Sequence, residues 1–266
     1  MSVTILAYGD THCGSSVALC PPSVRKDDGT VENCSTSQYW LWENWLKLIE
    51  KAQSYNGNLI TILNGDAIEG DTKDRTFQVV THNQAKLLEI AAECHEPIKA
   101  ASKKMFVTRG TAAHGGKSGN LEESMARDLE CEKTDIGTYS AYQWNLNVEG
   151  LHIDAAHHTN MSGVPWIKKE AAPKLAAKMI FAAADAHENP PDIVLRSHVH
   201  RWSDSYDMYR TRVIILPCWS LATEYTYRIA PGSIADIGAV FIHIDSGMYE
   251  VDKFKVTPMR KLWRVV

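Results

Sequence analysis

The chain has 266 residues, 44% of them apolar, enough to bury a sizeable core, which excludes fibrous, collagen-like and disordered classes. With 28 Lys and Arg against 32 Asp and Glu, the formal charge is -4, which argues against a chain whose main business is non-specific binding to nucleic-acid backbone. No run approaches the roughly 18 consecutive apolar residues of a membrane span. The first residues lack the basic leader of a signal peptide, so a cytoplasmic protein with no membrane partner is expected.

In chain order, the β-branched run at residues 3–8 reads as a buried strand ending at Gly9-Asp10. Residues 14–37 are rich in Ser, Pro, Asp and Gly without periodicity and are expected to be a loop insertion beside the active site. Trp42, Trp45, Leu46, Leu48 and Ile49 fall at helical spacing over 38–55, and Asn56-Gly57 stops that helix. A second buried strand at 59–63 closes on Asn64-Gly65-Asp66. A helix at 81–102, a strand at 104–108 and a Gly-rich turn follow, and three strand-loop-helix units in series indicate an α/β architecture.

A shorter helix is predicted over 121–130. Strands at 141–148 and 151–156 read as a hairpin around Glu149-Gly150, and a helix rich in Ala and Lys is predicted over 165–186. Short β runs at 192–196, 205–209, 212–216, 237–244 and 249–256 complete the chain. No linker divides it, so a single domain over 1–266 is expected. The six cysteines are scattered without a C-x-x-C pair and read as free thiols, Cys20 and Cys34 of the polar loop included.

Eleven histidines is the unusual count, because imidazole is the commonest metal ligand. Asp10 and His12 follow the first strand, Asp66 the second and His114 the third. His157 and His158 follow the hairpin, and His198 and His200 follow the 192–196 strand. In open α/β sheets ligands bind outside the carboxyl ends of strands, where residues distant in sequence converge. Several His with two Asp suit divalent transition metals, and a carboxylate can bridge two ions, so a dinuclear centre is inferred. His82, His95, His152, His187 and His243 fall elsewhere and are assigned no chemistry.

The ordered set Asp10-Thr11-His12, Gly65-Asp66, His157 or its neighbour His158, and His198-Val199-His200 resembles the calcineurin-like metallophosphoesterases. The resemblance implies a four-layer α-β-β-α sandwich with two mixed sheets. It also implies two divalent ions (Mn, Fe or Zn), one held by Asp10, His12 and His200, the other by His157 and His198, with Asp66 bridging. Two departures stand out. Ser197 replaces the Gly before the last His pair. The Gly-Asn-His element reads Gly110-Thr111-Ala112-Ala113-His114, so an Asn ligand is missing and the His comes two residues late. Either Thr111 sits near the Asn position and ligates poorly, or the turn is rebuilt so that His114 reaches the metal or the leaving group.

The implied activity is hydrolysis of a phosphomonoester or phosphodiester by a metal-activated hydroxide, with His114 as the catalytic acid. Arg109 and Lys117 flank the same turn as candidate phosphate-binding residues. The 110–114 turn is similar to that of members encoded by bacteriophages and prophages, which implies a nucleic-acid or nucleotide substrate. A degenerate, non-catalytic scaffold that binds a partner is the competing reading. Trp40, Trp42 and Trp45 are expected in the core, and one or two of Trp202, Trp219, Tyr225 and Tyr227 are expected to line a substrate cleft. Glu69 is a candidate for orienting a ligand. Asp71 and Asp74 are expected to be solvated, and Asn64 to be a turn former.

Overall fold

The structure is a computed structural model that describes residues 2–70, 78–159, 170–229 and 234–258. The elements in chain order are β1 (Val3–Tyr8), β2 (Ser23–Arg25), β3 (Val31–Asn33), α1 (Thr36–Gln53), β4 (Leu59–Asn64), α2 (Gln84–Ala101), β5 (Lys104–Thr108) and the single turn α3 (Ala112–Gly115). There follow α4 (Asn120–Asp128), β6 (Ser140–Ala141), β7 (Gln143–Val148), β8 (Leu151–Ala156), α5 (Ala171–Asp185), β9 (Ile193–Arg196) and β10 (Ser203–Asp204). The last are β11 (Arg212–Ile215), α6 (Glu224–Ile229), β12 (Ile237–Asp245) and β13 (Met248–Val256).

Two sheets carry the fold. The first has the order β13-β12-β1-β4-β5-β6 and the second β10-β11-β9-β8-β7. Both are mixed: β1, β4, β5 and β6 run parallel while β12 and β13 pair antiparallel, and β8, β9 and β11 run parallel between antiparallel neighbours. Side chains alternate across a strand with period two, and that alternation sorts them into layers. Ile5 and Ala7 of β1 pack against Ile193 and Leu195 of β9 between the sheets. Leu6 and Tyr8 of β1 face outward onto Leu41, Trp45 and Leu48 of α1 and Leu87 and Ile90 of α2. Val194, Val213 and Ile215 face the other way, onto Ala172 and Ala176 of α5. The result is the expected four layers, helices on both outer faces of two packed sheets.

Local chemistry sets the element ends. Ser35 caps α1, its hydroxyl accepting from the Gln38 backbone N–H while Gln38 reaches back to the Ser35 N–H, the reciprocal arrangement of a capping box. The β7–β8 hairpin turns on Glu149 and Gly150, both at positive φ, as a two-residue turn with right-handed strand twist requires.

Several expectations are corrected. Residues 14–37 are not structureless: 18–20 are buried, and residues 23–33 form the small β2–β3 hairpin. The predicted strand at 205–209 is instead a turn after the two-residue β10, with Tyr206 at φ 51. Leu46 is exposed on α1. The described part of the 165–186 helix begins at Ala171, and residues 165–169, like Asp71 and Asp74, lie outside the described residues. The helix α6 was not anticipated. All six cysteines are free. No helix among the described residues is long and apolar enough to cross a membrane.

Candidate metal centre

The loops leaving β1 and β4 stay paired beyond the strands. Asp10 N–H donates to Gly65 O and His12 N–H to Asp66 O, each at 2.9 Å, and Cys13 N–H to Ala67 O at 3.0 Å. Tight packing demands the glycines. A Cβ on Gly65 would lie 2.4 Å from His157 Nδ1, and one on Gly110 would lie 2.2 Å from Asp66 Oδ1. Asp10, His12, Asp66, His198 and His200 all have positive φ, a conformation that costs a non-glycine residue about 1–3 kcal/mol and persists where the surroundings over-determine it. The strain is concentrated on residues that converge.

They form overlapping groups whose ligand atoms lie within 4.8 Å of one another: Asp10, His12 and His200; His12, Asp66 and His114; Asp10, Asp66 and His157; and His157, His158 and His198. Asp66 belongs to two of these, with Oδ2 at 3.1 Å from His157 Nε2. His200 Nε2 lies 3.5 Å from Asp10 Oδ1, and His157 Nε2 lies 3.9 Å from the same oxygen. Asp10 Oδ2 accepts the His198 backbone N–H at 2.9 Å, which ties the loop after β9 to the loop after β1.

The tautomers follow from the acceptors. Burial pushes the Glu69 carboxyl up, but His114 and His12 beside it outweigh that and hold it down at about 2. An ionised carboxylate only accepts. The Nδ1 atoms of His12, at 2.8 Å, and His114, at 2.9 Å, are therefore its donors. His157 Nδ1 likewise donates to the Asn64 carbonyl at 2.8 Å. In their neutral forms these rings therefore present bare Nε2 atoms. Asp10 Oδ1 and His157 Nε2 are buried without a hydrogen-bond partner, and a buried polar atom of that kind costs free energy unless something occupies it.

Electrostatics agree with the donor set. Burial disfavours the ionised forms of Asp66 and Asp10, yet the surrounding histidines, His157 foremost for Asp66 and His200 for Asp10, hold both below the usual carboxylate range. Burial pulls His157 down, and Asp66 and Asp10 reverse this, raising it to about 9. Burial and then the proximity of His157 lower His198 and His158. A cluster of ionised carboxylates and convergent imidazole nitrogens attracts a divalent cation in place of protons. The residues fit divalent-metal binding.

Thr111 stands between the two halves. Its backbone N–H donates to Asp66 Oδ1 at 2.5 Å, and its hydroxyl lies 3.1 Å from Asp66 Oδ2 and 3.3 Å from His198 Nδ1. Thr111 abuts the His198 side, and His114 faces His12 and Asp66. A cavity of about 340 Å³ is lined by His12, Asp66, His114, His198 and His200 together with Leu221, Thr223 and Thr226.

Arg109 does not line that cavity. Its Nε donates to Ser140 Oγ at 2.9 Å, its Nη2 pairs with Glu123 at 3.4 Å, and the guanidinium lies over the Tyr142 ring. Lys117 is exposed on the same turn. Among the described residues no Trp or Tyr lines the cavity. Trp219 is core, edge-on to Trp45 at 4.8 Å, and Trp202 lies under Lys253. The Tyr225 side chain lies outside the described residues.

Three supporting residues were weighted too lightly or missed. Asn64 does more than form a turn: its side-chain amide donates to Ala156 O and Ser197 Oγ, tying β4 to the ends of β8 and β9. Glu122 is fully buried and accepts from the backbone N–H groups of Gly110, at 2.6 Å, and Ala67, at 3.3 Å. Its signal was an acidic residue on the helical face of Met125 and Ala126. Buried His95 lies beneath the centre, against Tyr8 at 3.1 Å and Thr11 at 3.3 Å.

No family model matches the chain, and no curated protein matches it. Similar solved structures include Vps29 complexed with Zn+2 from Entamoeba histolytica, with 10% identity, a TM-score of 0.47, and coverage of 95% of this chain and 99% of that one. Vacuolar protein sorting 29 from Cryptosporidium parvum shares 10% identity at a TM-score of 0.46, covering 97% and 99%. A 5'-nucleotidase from Candida albicans shares 10% identity at a TM-score of 0.42, with 90% of this chain spanning 46% of that one.

Proposed function

We propose that the chain is a dinuclear metal-dependent phosphoesterase of the calcineurin-like kind. The observation that carries this reading is the convergence of buried Asp10 Oδ1, which has no hydrogen-bond partner, with His157 Nε2, 3.1 Å from Asp66 Oδ2, and with His12, His198 and His200 around them. Asp10, His12 and His200 would hold one ion, His157 and His198 the other, and Asp66 would serve both. When bound, such a pair supplies Lewis-acid activation of water and neutralises charge developing on phosphoryl oxygens.

The chain's own groups do the rest. Glu69 fixes the rings of His12 and His114 through their Nδ1 atoms, leaving each Nε2 directed elsewhere. Burial pulls His114 down, and Glu69 and Asp66 raise it above its ordinary value, a shift that favours the protonated ring. His114 lines the cavity and is the general acid in this reading. The substrate is a phosphate ester small enough to place its phosphorus at the floor of the cavity, with a nucleotide or a nucleic-acid end as the class suggested by the 110–114 turn.

The test is hydrolysis of a chromogenic phosphodiester and a chromogenic phosphomonoester by purified protein supplied with Mn or Zn. Turnover that disappears in Asp66→Asn is expected. Metal uptake without turnover of either ester would favour the scaffold reading, which the Thr111 substitution for an Asn ligand supports.

A further inference from the structure

We infer that His158 is an additional ligand of the second metal position, so that His157, His158 and His198 with Asp66 make a three-imidazole, one-carboxylate site. The inference rests on the dinuclear reading above and extends it to a residue outside that ligand set.

The ligand atoms of the three histidines lie within 4.8 Å of one another. The ring of His158 meets that of His157 edge-on at 4.9 Å and that of His198 at 5.0 Å, while His157 and His198 are 5.3 Å apart. Adjacent residues within a strand point to opposite faces and could not share an ion. Here β8 ends at Ala156, and beyond it the chain is free to bring two consecutive side chains to one point. His157 is anchored by its Nδ1 contact with Asn64, whereas His158 and His198 are exposed and stand on the solvent side of the same point.

The second position also needs a donor. The residue nearest to it from the 110–114 turn is Thr111, whose hydroxyl is engaged with Asp66 Oδ2 and faces His198 Nδ1. A neutral hydroxyl already committed to a carboxylate is a poor substitute for an amide carbonyl, and an imidazole supplies a far better one. The two positions then differ in kind. The first has carboxylates Asp10 and Asp66 with His12 and His200, and the second is dominated by nitrogen. Imidazole suits Zn, Ni and Fe, whereas carboxylate suits Mn and Mg, so the second position should prefer Zn to Mn more strongly than the first does.

The experiment is calorimetric titration of metal-free wild type, His158→Ala and His198→Ala with Zn and separately with Mn, with bound ions counted by elemental analysis after gel filtration. Because His158 is exposed, its substitution should leave the fold intact, checked by circular dichroism. The expected result is two Zn sites in wild type. Both variants should lose the same one by more than the roughly 10- to 100-fold that removing a ligand-orienting neighbour costs, with the other unchanged. His158→Ala that binds both Zn ions as tightly as wild type, while His198→Ala loses one, would overturn the role of His158 alone. Wild type that takes up no ion would overturn the dinuclear reading and this inference with it.

Discussion

The Nε2 atoms of His12 and His200 face each other at 3.2 Å although 188 residues separate them in sequence. With Glu69 holding His12 by Nδ1, the facing nitrogen on His12 is an acceptor, and Asp10 Oδ1 lies 3.5 Å from the His200 nitrogen. In the metal-free chain a proton on His200, whose ring is raised well above its ordinary value, holds these atoms together, and a divalent cation would take that place. His200→Ala should therefore lose one ion and keep the other, whereas Asp66→Asn, which weakens the shared carboxylate, should lose both together with turnover. Asp66→Asn with full metal content and activity would refute the shared role.

Glu69 grips two histidines from different loops, so its substitution tests orientation rather than ligation. Glu69→Gln offers one carbonyl oxygen where two carboxylate oxygens now accept. The expected outcome is a metal affinity about 10- to 100-fold weaker at the His12 side, along with a fall in kcat as His114 loses its anchor. Titration of the variant with Mn beside a kinetic assay checks both. Unchanged affinity and kcat would show that the contacts are incidental.

His114→Ala should lower turnover about 10²- to 10⁴-fold, the usual range for removal of a general acid, with both ions retained. The loss should be largest for alkyl phosphate esters and small for nitrophenyl esters, whose leaving group departs without a proton. An equal loss on both substrate types, or loss of an ion, would make His114 a ligand or a positioning residue instead.

Glu122 gives the metal-free protein a pH dependence of predictable sign. Its burial, and then the neighbouring Asp66 charge, push the carboxyl up from 4.5 to about 7. The folded chain therefore holds a proton that the unfolded chain has released, and stability falls as pH rises from about 4.5 through 7, by about 3 kcal/mol in order of magnitude. Glu122→Gln should remove this fall while sacrificing one of the two backbone hydrogen bonds, since an amide offers a single acceptor oxygen. Denaturant melts between pH 5 and 8 decide it; equal slopes in wild type and variant would contradict the assignment.

The succession of strands along the chain and the positions of the site loops were legible in the sequence because both rest on local pattern, whereas the pairing of β1 with the distant β12 was not. Hydrophobic runs mark strands such as β4 and β5, and the residues after them must lie at the carboxyl edge. The directions of side chains on those loops were not legible. Arg109 turns to Glu123 and Ser140 because a helix and a strand meet there through long-range packing, which no spacing rule encodes. The positive φ values at Asp10, His12 and Asp66 are likewise products of tertiary contacts, since only a glycine would have announced them. The capping box at Ser35 and Gln38 was readable and would have placed the start of α1 two residues earlier.

The number of ions bound per chain after reconstitution of the purified protein with Mn or Zn and removal of free metal, measured by elemental analysis, decides whether Asp66 joins two metal positions. The arrangement around Asp66 predicts a value close to two in wild type and close to zero in Asp66→Asn. A wild-type value below one would contradict it.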